Sequence, residues 1–358
     1  MFYREGGQFK TNYAADQQLF PILQDRVFVL FAVVVAYVVV PLFASEYLLQ
    51  AVFIQFLVFA MAAIGLNLLT GYCGQLSLGT GGFMAVGGYM GYKIATAFPD
   101  LNIIIVFLLA GLCSAAVGLV FGIPSLRIKG FYLAVATLAA QFFLGWMFNK
   151  VAWFYNYNTS GTITAPPRKV AGIMVTGPEA VAEVRYLVAL TLVTIFALVA
   201  KNLVRGRVGR SWMAIRDMDI AAEIIGIRPF QTKLLAFSVS SFYCGVAGAM
   251  MLFLWLGSAE TEAYDIFVSF DVLFMVIIGG LGSILGSILG AAFIVVVPIV
   301  LTNAPQFFGL AMPTDLQKHI EVMLFGSLII FFLIVEPNGF ARLWQIAKEK
   351  LRLWPFPY

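Results

Sequence analysis

Residues 267–301 read FVSFDVLFMVIIGGLGSILGSILGAAFIVVVPIVL, an apolar run whose single charge is Asp271. As one α-helix it would be about 50 Å long at ~1.5 Å per residue, well beyond the ~30 Å hydrocarbon core of a bilayer. Gly279-Gly280-Leu281-Gly282-Ser283 supplies a break, because glycine is a poor helix former. Two short or partly re-entrant helices meeting at those glycines are therefore expected, with a single strongly tilted helix as the alternative.

Outward from this stretch the pattern repeats. A spanning helix needs about 20 mostly apolar residues. Such runs occur at 27–44, 50–70, 76–97, 102–123, 131–148, 186–204 and 234–257, with two more inside 267–301 and a last at 322–335. The chain is 61% hydrophobic and 11% charged, whereas a soluble domain is about 45–50% apolar and ~25% charged. That leaves too little polar material to coat a water-soluble globule of 358 residues. The fold class expected is an all-α integral membrane protein of about ten crossings.

Orientation follows from the basic residues. With the N-terminus cytoplasmic and ten alternating crossings, only Lys93, Lys150, Arg168, Lys169, Arg185 and Lys318 face outward. The other 16 of the 22 Lys and Arg face inward, as the positive-inside rule requires. Both termini are then cytoplasmic. The expected organisation is a cytoplasmic segment 1–26, a membrane domain 27–340 and a cytoplasmic tail 341–358. Within the domain, loop 149–185 lies outside and loop 205–233 inside. Polar and mixed residues precede the first apolar run and no cleavage site follows it, so 27–44 is expected to persist as a helix.

Several chemistries are disfavoured. No dense Lys/Arg block offers a nucleic-acid face. Cys73, Cys113 and Cys244 fall in apolar segments without CxxC spacing and read as small hydrophobes. His319, expected in an outer loop, is the one histidine, too few for a two-His metal or haem site.

The inner loop is the most informative part. Ser211 can cap a short helix 212–217 and Asp219 a second, 220–225. Gly226 suits the left-handed position that ends a helix, and Pro229 is expected to prevent its resumption. Such helices would carry apolar groups beside Arg210, Arg216, Asp217, Asp219 and Glu223. A partner could grip them; an ordinary solvated loop would look the same.

Here the sequence becomes recognisable. Gly209-Arg210-Ser211-Trp212-Met213-Ala214-Ile215-Arg216-Asp217 and Ile220-Ala221-Ala222-Glu223-Ile224-Ile225-Gly226-Ile227 resemble the ATPase-coupling loop of branched-chain amino acid ABC permeases of the LivM type. The importer pattern Glu-Ala-Ala-x-x-x-Gly maps onto Ile220, Ala221, Ala222 and Gly226. Its leading acid is absent, leaving Asp219 or Glu223 to supply the charge. Residues 66–79, 233–237 and 275–283 look like further signatures in the expected order, and the resemblance covers about 47–340.

The resemblance implies a machine in the bacterial inner membrane. A second, homologous permease pairs with this one, two cytoplasmic ABC ATPases bind beneath, and a periplasmic binding protein delivers substrate. ATP and Mg belong to the ATPases. This chain carries no Gly-x-x-x-x-Gly-Lys-Ser/Thr loop and is expected to hold no cofactor. Urea, short amides, aromatic acids and sugars are alternative cargoes of similar permeases.

The path itself is less legible. Asn67, Gln75 and Ser77 sit at or beside a Gly-rich break, and polar groups at membrane depth are costly unless paired or lining a cavity. They border the path or bond helix to helix. The Gly-rich segments 71–91 and 279–290, which include Gly279 and Gly280, point to the substrate path or to close packing. Asp271, Glu260, Glu262 and Asp265 are expected around the outer mouth, as an acidic vestibule that docks the binding protein or as ordinary outer-surface charge. An ion-coupled transporter would want acids, histidines or lysines inside the crossings, and a membrane enzyme a cluster of them at one depth; neither is visible.

Overall fold

The computed structural model describes residues 11–12, 23–126, 132–170, 172–177, 179–307, 314–335 and 339–353. Most of the N-terminal segment 1–26 lies outside the described residues, as do Arg127, Lys129 and 354–358.

The chain is mostly helical. α1 runs Leu23–Val34 and continues through a π-helical turn to Phe43. Then come α2 (Glu46–Tyr72), α3 (Thr80–Ala97), α4 (Ile103–Ser125), α5 (Tyr132–Lys150) and α6 (Ala182–Arg205). Two short helices follow, α7 (Arg207–Asp217) and α8 (Asp219–Ile224). The remainder is α9 (Pro229–Leu256), α10 (Ile266–Gly279), α11 (Ile284–Phe307), α12 (Thr314–Val335) and α13 (Gly339–Leu353). Among the described residues six helices, α1, α2, α4, α6, α9 and α11, are long and apolar enough to cross a membrane. α3 is long enough but diluted by glycines and Lys93, and α10 has 14 residues.

Long runs of one solvent preference set this architecture, and glycine sets its packing. α2 and α9 form the interior, with 78% of an 18-residue apolar stretch of each buried, while α1 lies at the periphery with none of its stretch buried. α9 packs on α2, α3 and α4. A β-carbon on Gly87 would run into the Gly245 backbone, and one on Gly248 into Met84. Lipid gives helices no hydrophobic reason to associate, so close approach through small residues must supply the attraction.

Two expectations need correction, the start of the third helix and the place of His319. The third helix starts at Thr80, and 74–79 is irregular instead of helical; Gly74 has φ +73°, a left-handed turn that stops α2. Between α5 and α6 the chain forms β2–β3 (Arg168–Val170, Ile173–Thr176), while β1 (Ile163–Thr164) pairs with β4 (Ser258–Ala259). His319 is an exposed residue of α12, not part of a loop. Residues 339–353 form a helix that takes up most of the segment 341–358: Phe340 packs 5.1 Å from both Phe293 and Phe332 and anchors α13. The break in 267–301 falls where expected, between Gly279 and Ile284, with Gly280 at φ +116° and Gly282 at φ +77°.

Candidate functional site

α7 turns sharply off α6. Gly206 is the single residue between them, and a β-carbon on Gly209 would collide with the Val204 backbone. Trp212 locks the turn; it is fully buried and its indole N–H donates to Thr232 O at 3.1 Å. Ser211 does not cap a helix. It lies inside α7, and its hydroxyl donates back to Arg207 O at 3.0 Å, because helix formation starts a turn earlier, at Gly206.

α8 ends as the sequence implies. Gly226 has φ +92°. The Ile227 N–H donates to Ala222 O and the Gly226 N–H to Glu223 O, both at 3.0 Å, closing a Schellman motif. At its start, Met218 holds the cap position and Asp219 is the first helical residue, its carboxylate 3.9 Å from Lys233 Nζ. Pro229 does not bar a helix. It opens α9, where its missing N–H costs nothing.

The two faces of α7–α8 differ. Ile215 and Ala222 face inward and are buried. Met218, Ile220, Ile224 and Ile225 are 72–81% exposed, and Arg210, Asp217, Ala221 and Glu223 are also exposed. An open groove of about 400 Å³ runs beside them between Glu223 and Gln231.

Arg216 faces the other way. Its Nη1 donates to Gly71 O at 2.9 Å, at the end of α2. A β-carbon on Gly74 would lie 3.0 Å from its stem, and one on Gly282 would lie 3.3 Å from Nη1. The guanidinium thus occupies the joint between the two glycine breaks, while its Nη2 also pairs with Asp217 at 2.9 Å.

Asn67 holds the same joint from above, one turn before Gly71. Its Nδ2 donates to Ser287 Oγ at 2.7 Å, Ser283 O at 2.9 Å and Gly280 O at 3.4 Å. Its Oδ1 accepts from the Gly282 N–H at 2.9 Å. Of the two roles open to Asn67, helix-to-helix bonding is the one observed. Gly279 packs backbone to backbone against Gly286, and Gly280 makes the turn.

Gln75 and Ser77 follow this joint on the irregular segment. The Gln75 carbonyl accepts from Thr70 Oγ1, and Ser77 is buried near Gly79. That segment leads to a second polar cluster around the start of α3, formed by Thr80, Thr137, Gln141 and Ser269, none of which stood out in the sequence. The available signal was a lone amide or hydroxyl in the middle of an apolar run. The Asp265 carbonyl adjoins this cluster, 2.7 Å from where a β-carbon on Gly81 would be. Among the described residues no group of acids, Cys and His is arranged to hold a metal.

Comparison with known proteins agrees with this reading. The family model "Branched-chain amino acid transport system / permease component" matches residues 48–333. Two curated relatives, the high-affinity branched-chain amino acid transport system permease proteins LivM of Salmonella typhimurium and Escherichia coli, are each 29% identical over 324 residues. Each alignment covers 83% of this chain and 70% of the relative. No solved structure matches the chain. With most of its length matched, the chain belongs to the branched-chain amino acid transport permease family, a family of multi-pass transport subunits.

Proposed function

We propose that this chain is one permease half of a bacterial ABC importer that moves branched-chain amino acids inward across the inner membrane. Ten helices cross, α1–α6 and α9–α12, with both termini cytoplasmic. Loop 149–185 is periplasmic, and 205–233 meets the ATPases. A second homologous permease, two ABC ATPases and a periplasmic binding protein complete the assembly. ATP and Mg reside on the ATPases, and this chain supplies the path through lipid.

One observation carries the reading. α7–α8 turns four large apolar side chains outward beside exposed charges, yet is keyed on its other side into the membrane helices by Trp212 and Arg216. Exposed apolar groups rimmed by charge fit a partner surface, and the rigid connection gives that partner something to move. Arg210, Asp217, Asp219, Ala221, Glu223 and Gly226 are assigned to the grip; Ala222 and Arg216 face the helices. ATPase closure would then switch the membrane helices as rigid bodies. The cargo follows from the family and from the names of the two relatives.

The test is gentle purification of the tagged chain from its native host, followed by uptake in proteoliposomes. Co-purification of a second permease and two ATPases, with ATP-dependent leucine uptake that excess urea or acetamide does not compete away, is the expected result. A chain that purifies and transports alone without ATP refutes it.

A further inference from the structure

The first turn of α3 bonds to the centres of two neighbouring helices. Phe83 O accepts from Ser114 Oγ at 2.9 Å, and Ser114 is the twelfth of 23 residues in α4. The Gly82 N–H donates to Gln141 Oε1, and Gln141 is the tenth of 19 residues in α5. The N-terminus of α3 therefore lies near half-depth. α10 begins at the same level, where the Gly81 N–H donates to Ser269 Oγ at 2.8 Å. From there its 14 residues descend about 20 Å to the Gly279 break beside Gly71. The non-helical residues 74–79 connect that joint to the start of α3. The N-termini of α3 and α10 thus meet at one place near the middle of the membrane, with their positive ends together.

The groups gathered there are buried, polar and uncharged: Thr80, Thr137, Gln141 and Ser269 are each 4% exposed or less. Three are paired. Gln141 Nε2 donates to Tyr264 O at 2.9 Å, Ser269 Oγ lies 3.2 Å from Gln141 Oε1, and Thr137 Oγ1 accepts from the Leu78 N–H at 2.9 Å. Thr80 Oγ1 is fully enclosed and has no hydrogen-bond partner. Thr80 is the first residue of α3, and side chains tilt toward a helix N-terminus, so its side chain sits at the junction.

We propose that this junction holds the carboxylate of the transported amino acid in transit, an assignment that rests on the importer reading above. The donors are the Thr80 hydroxyl and the N–H groups of Gly81 and Gly82. In the present conformation Ser269 Oγ and Gln141 Oε1 occupy those N–H groups, and the carboxylate takes their place when α10 shifts. Asp265 caps α10 at the same level, its Oδ1 accepting from the Phe267 N–H at 2.9 Å and the Val268 N–H at 3.3 Å. A carboxylate beside an anion site would repel a simple acid. Beside a zwitterion it faces the α-ammonium, so the junction suits α-amino acids over plain acids.

The test uses the complete transporter in proteoliposomes with leucine-loaded binding protein. Wild-type uptake compared with a complex of hydrolysis-dead ATPases reports on the importer reading; variants of Thr80 report on the junction. Thr80→Val keeps the shape and is expected to lower uptake per assembled complex at least tenfold, whereas Thr80→Ser keeps the hydroxyl and stays within threefold. Thr80→Val at the wild-type rate, or Thr80→Ser impaired as much as Thr80→Val, overturns the proposal. A labelling measurement covers the case in which valine disturbs assembly. With Cys73, Cys113 and Cys244 replaced by alanine, Thr80→Cys is alkylated by N-ethylmaleimide during ATP turnover. Leucine-loaded binding protein is expected to slow that reaction at least threefold relative to unloaded binding protein, and equal rates overturn the assignment.

Discussion

Replacing Asn67 with leucine tests whether one amide holds the α10–α11 turn. The substitution conserves bulk but removes the bonds to Ser287 Oγ, Ser283 O and Gly282 N–H, all at 2.7–2.9 Å, and the longer one to Gly280 O. Hydrogen bonds between membrane helices contribute about 0.6 kcal/mol each on average, and about 1 kcal/mol is typical in water-soluble proteins. The three short bonds are therefore worth about 2–3 kcal/mol. Two of their partners are backbone groups of a glycine turn, and leaving the Gly282 N–H buried without an acceptor pushes the loss toward the upper end. The measurement is the midpoint of unfolding of the purified assembly in SDS-containing mixed micelles, expected to fall by the equivalent of about 2–3 kcal/mol. Asn67→Gln should not rescue it, because an added methylene cannot fit where Gly71 already lies against the Asn67 side chain. A leucine variant within about 0.5 kcal/mol of wild type, the usual range for an inconsequential substitution, would refute the clamp.

Arg216→Met keeps the stem but loses the bond to Gly71 O; hydrogen bonds to charged groups are worth about 1.5–3 kcal/mol, so uptake should fall about tenfold or more while ATP hydrolysis continues. Asp217→Ala removes an exposed ion pair and should change stability by less than about 1 kcal/mol in a thermal-shift assay. Gly226→Val meets no neighbour within 4 Å, so any effect is backbone strain from φ +92°, at least about 1–2 kcal/mol; uptake should drop at normal expression, with Gly226→Asn milder. Trp212→Ala empties a fully buried site and should cost about 3–5 kcal/mol, read as loss of assembled complex on gel filtration. A reporter tag moved from the C-terminus into 149–185 should become accessible from the periplasm, and identical labelling at both places would defeat the ten-crossing topology.

The helices were legible because lipid imposes one demand on every residue of a span, and that demand shows in composition alone. The break at Gly279–Ser283 was legible for the same local reason, as was the left-handed Gly226. Positions decided by distant neighbours were not. Ser211 has the chemistry of a cap, but Gly209 lets α7 start earlier by packing against Val204, a contact no spacing rule reveals. Pro229 reads as a stop or a start depending on which side the helix lies. Arg216 looks like one more exposed cation of the loop until Gly71, Gly74 and Gly282 are seen to leave room for it. The cluster at Thr80, Gln141 and Ser269 joins residues 61 to 189 positions apart in sequence, and each alone is an ordinary polar residue in an apolar run.

α10 gives these separate readings a mechanical connection. Its C-terminal end is fixed to α2 by Asn67 at Gly280 and Gly282, with Arg216 of α7 wedged against the same turn. Its N-terminal end is fixed to α3 and α5 through Ser269. A 14-residue helix carries its hydrogen bonds internally and bends little over about 20 Å. Tight glycine contacts with α11 at Gly286 and Gly290 leave it no slack sideways. Interfaces packed this closely have discrete arrangements and do not deform continuously. A displacement of α7 at Gly282 must therefore break the Asn67 clamp or reach Ser269, and breaking the four bonds of the clamp costs more than exchanging the two that Ser269 makes with the Gly81 N–H and Gln141 Oε1. The weaker connection lies at the α3 end, so on the importer reading that is where α3 and α10 are expected to part first.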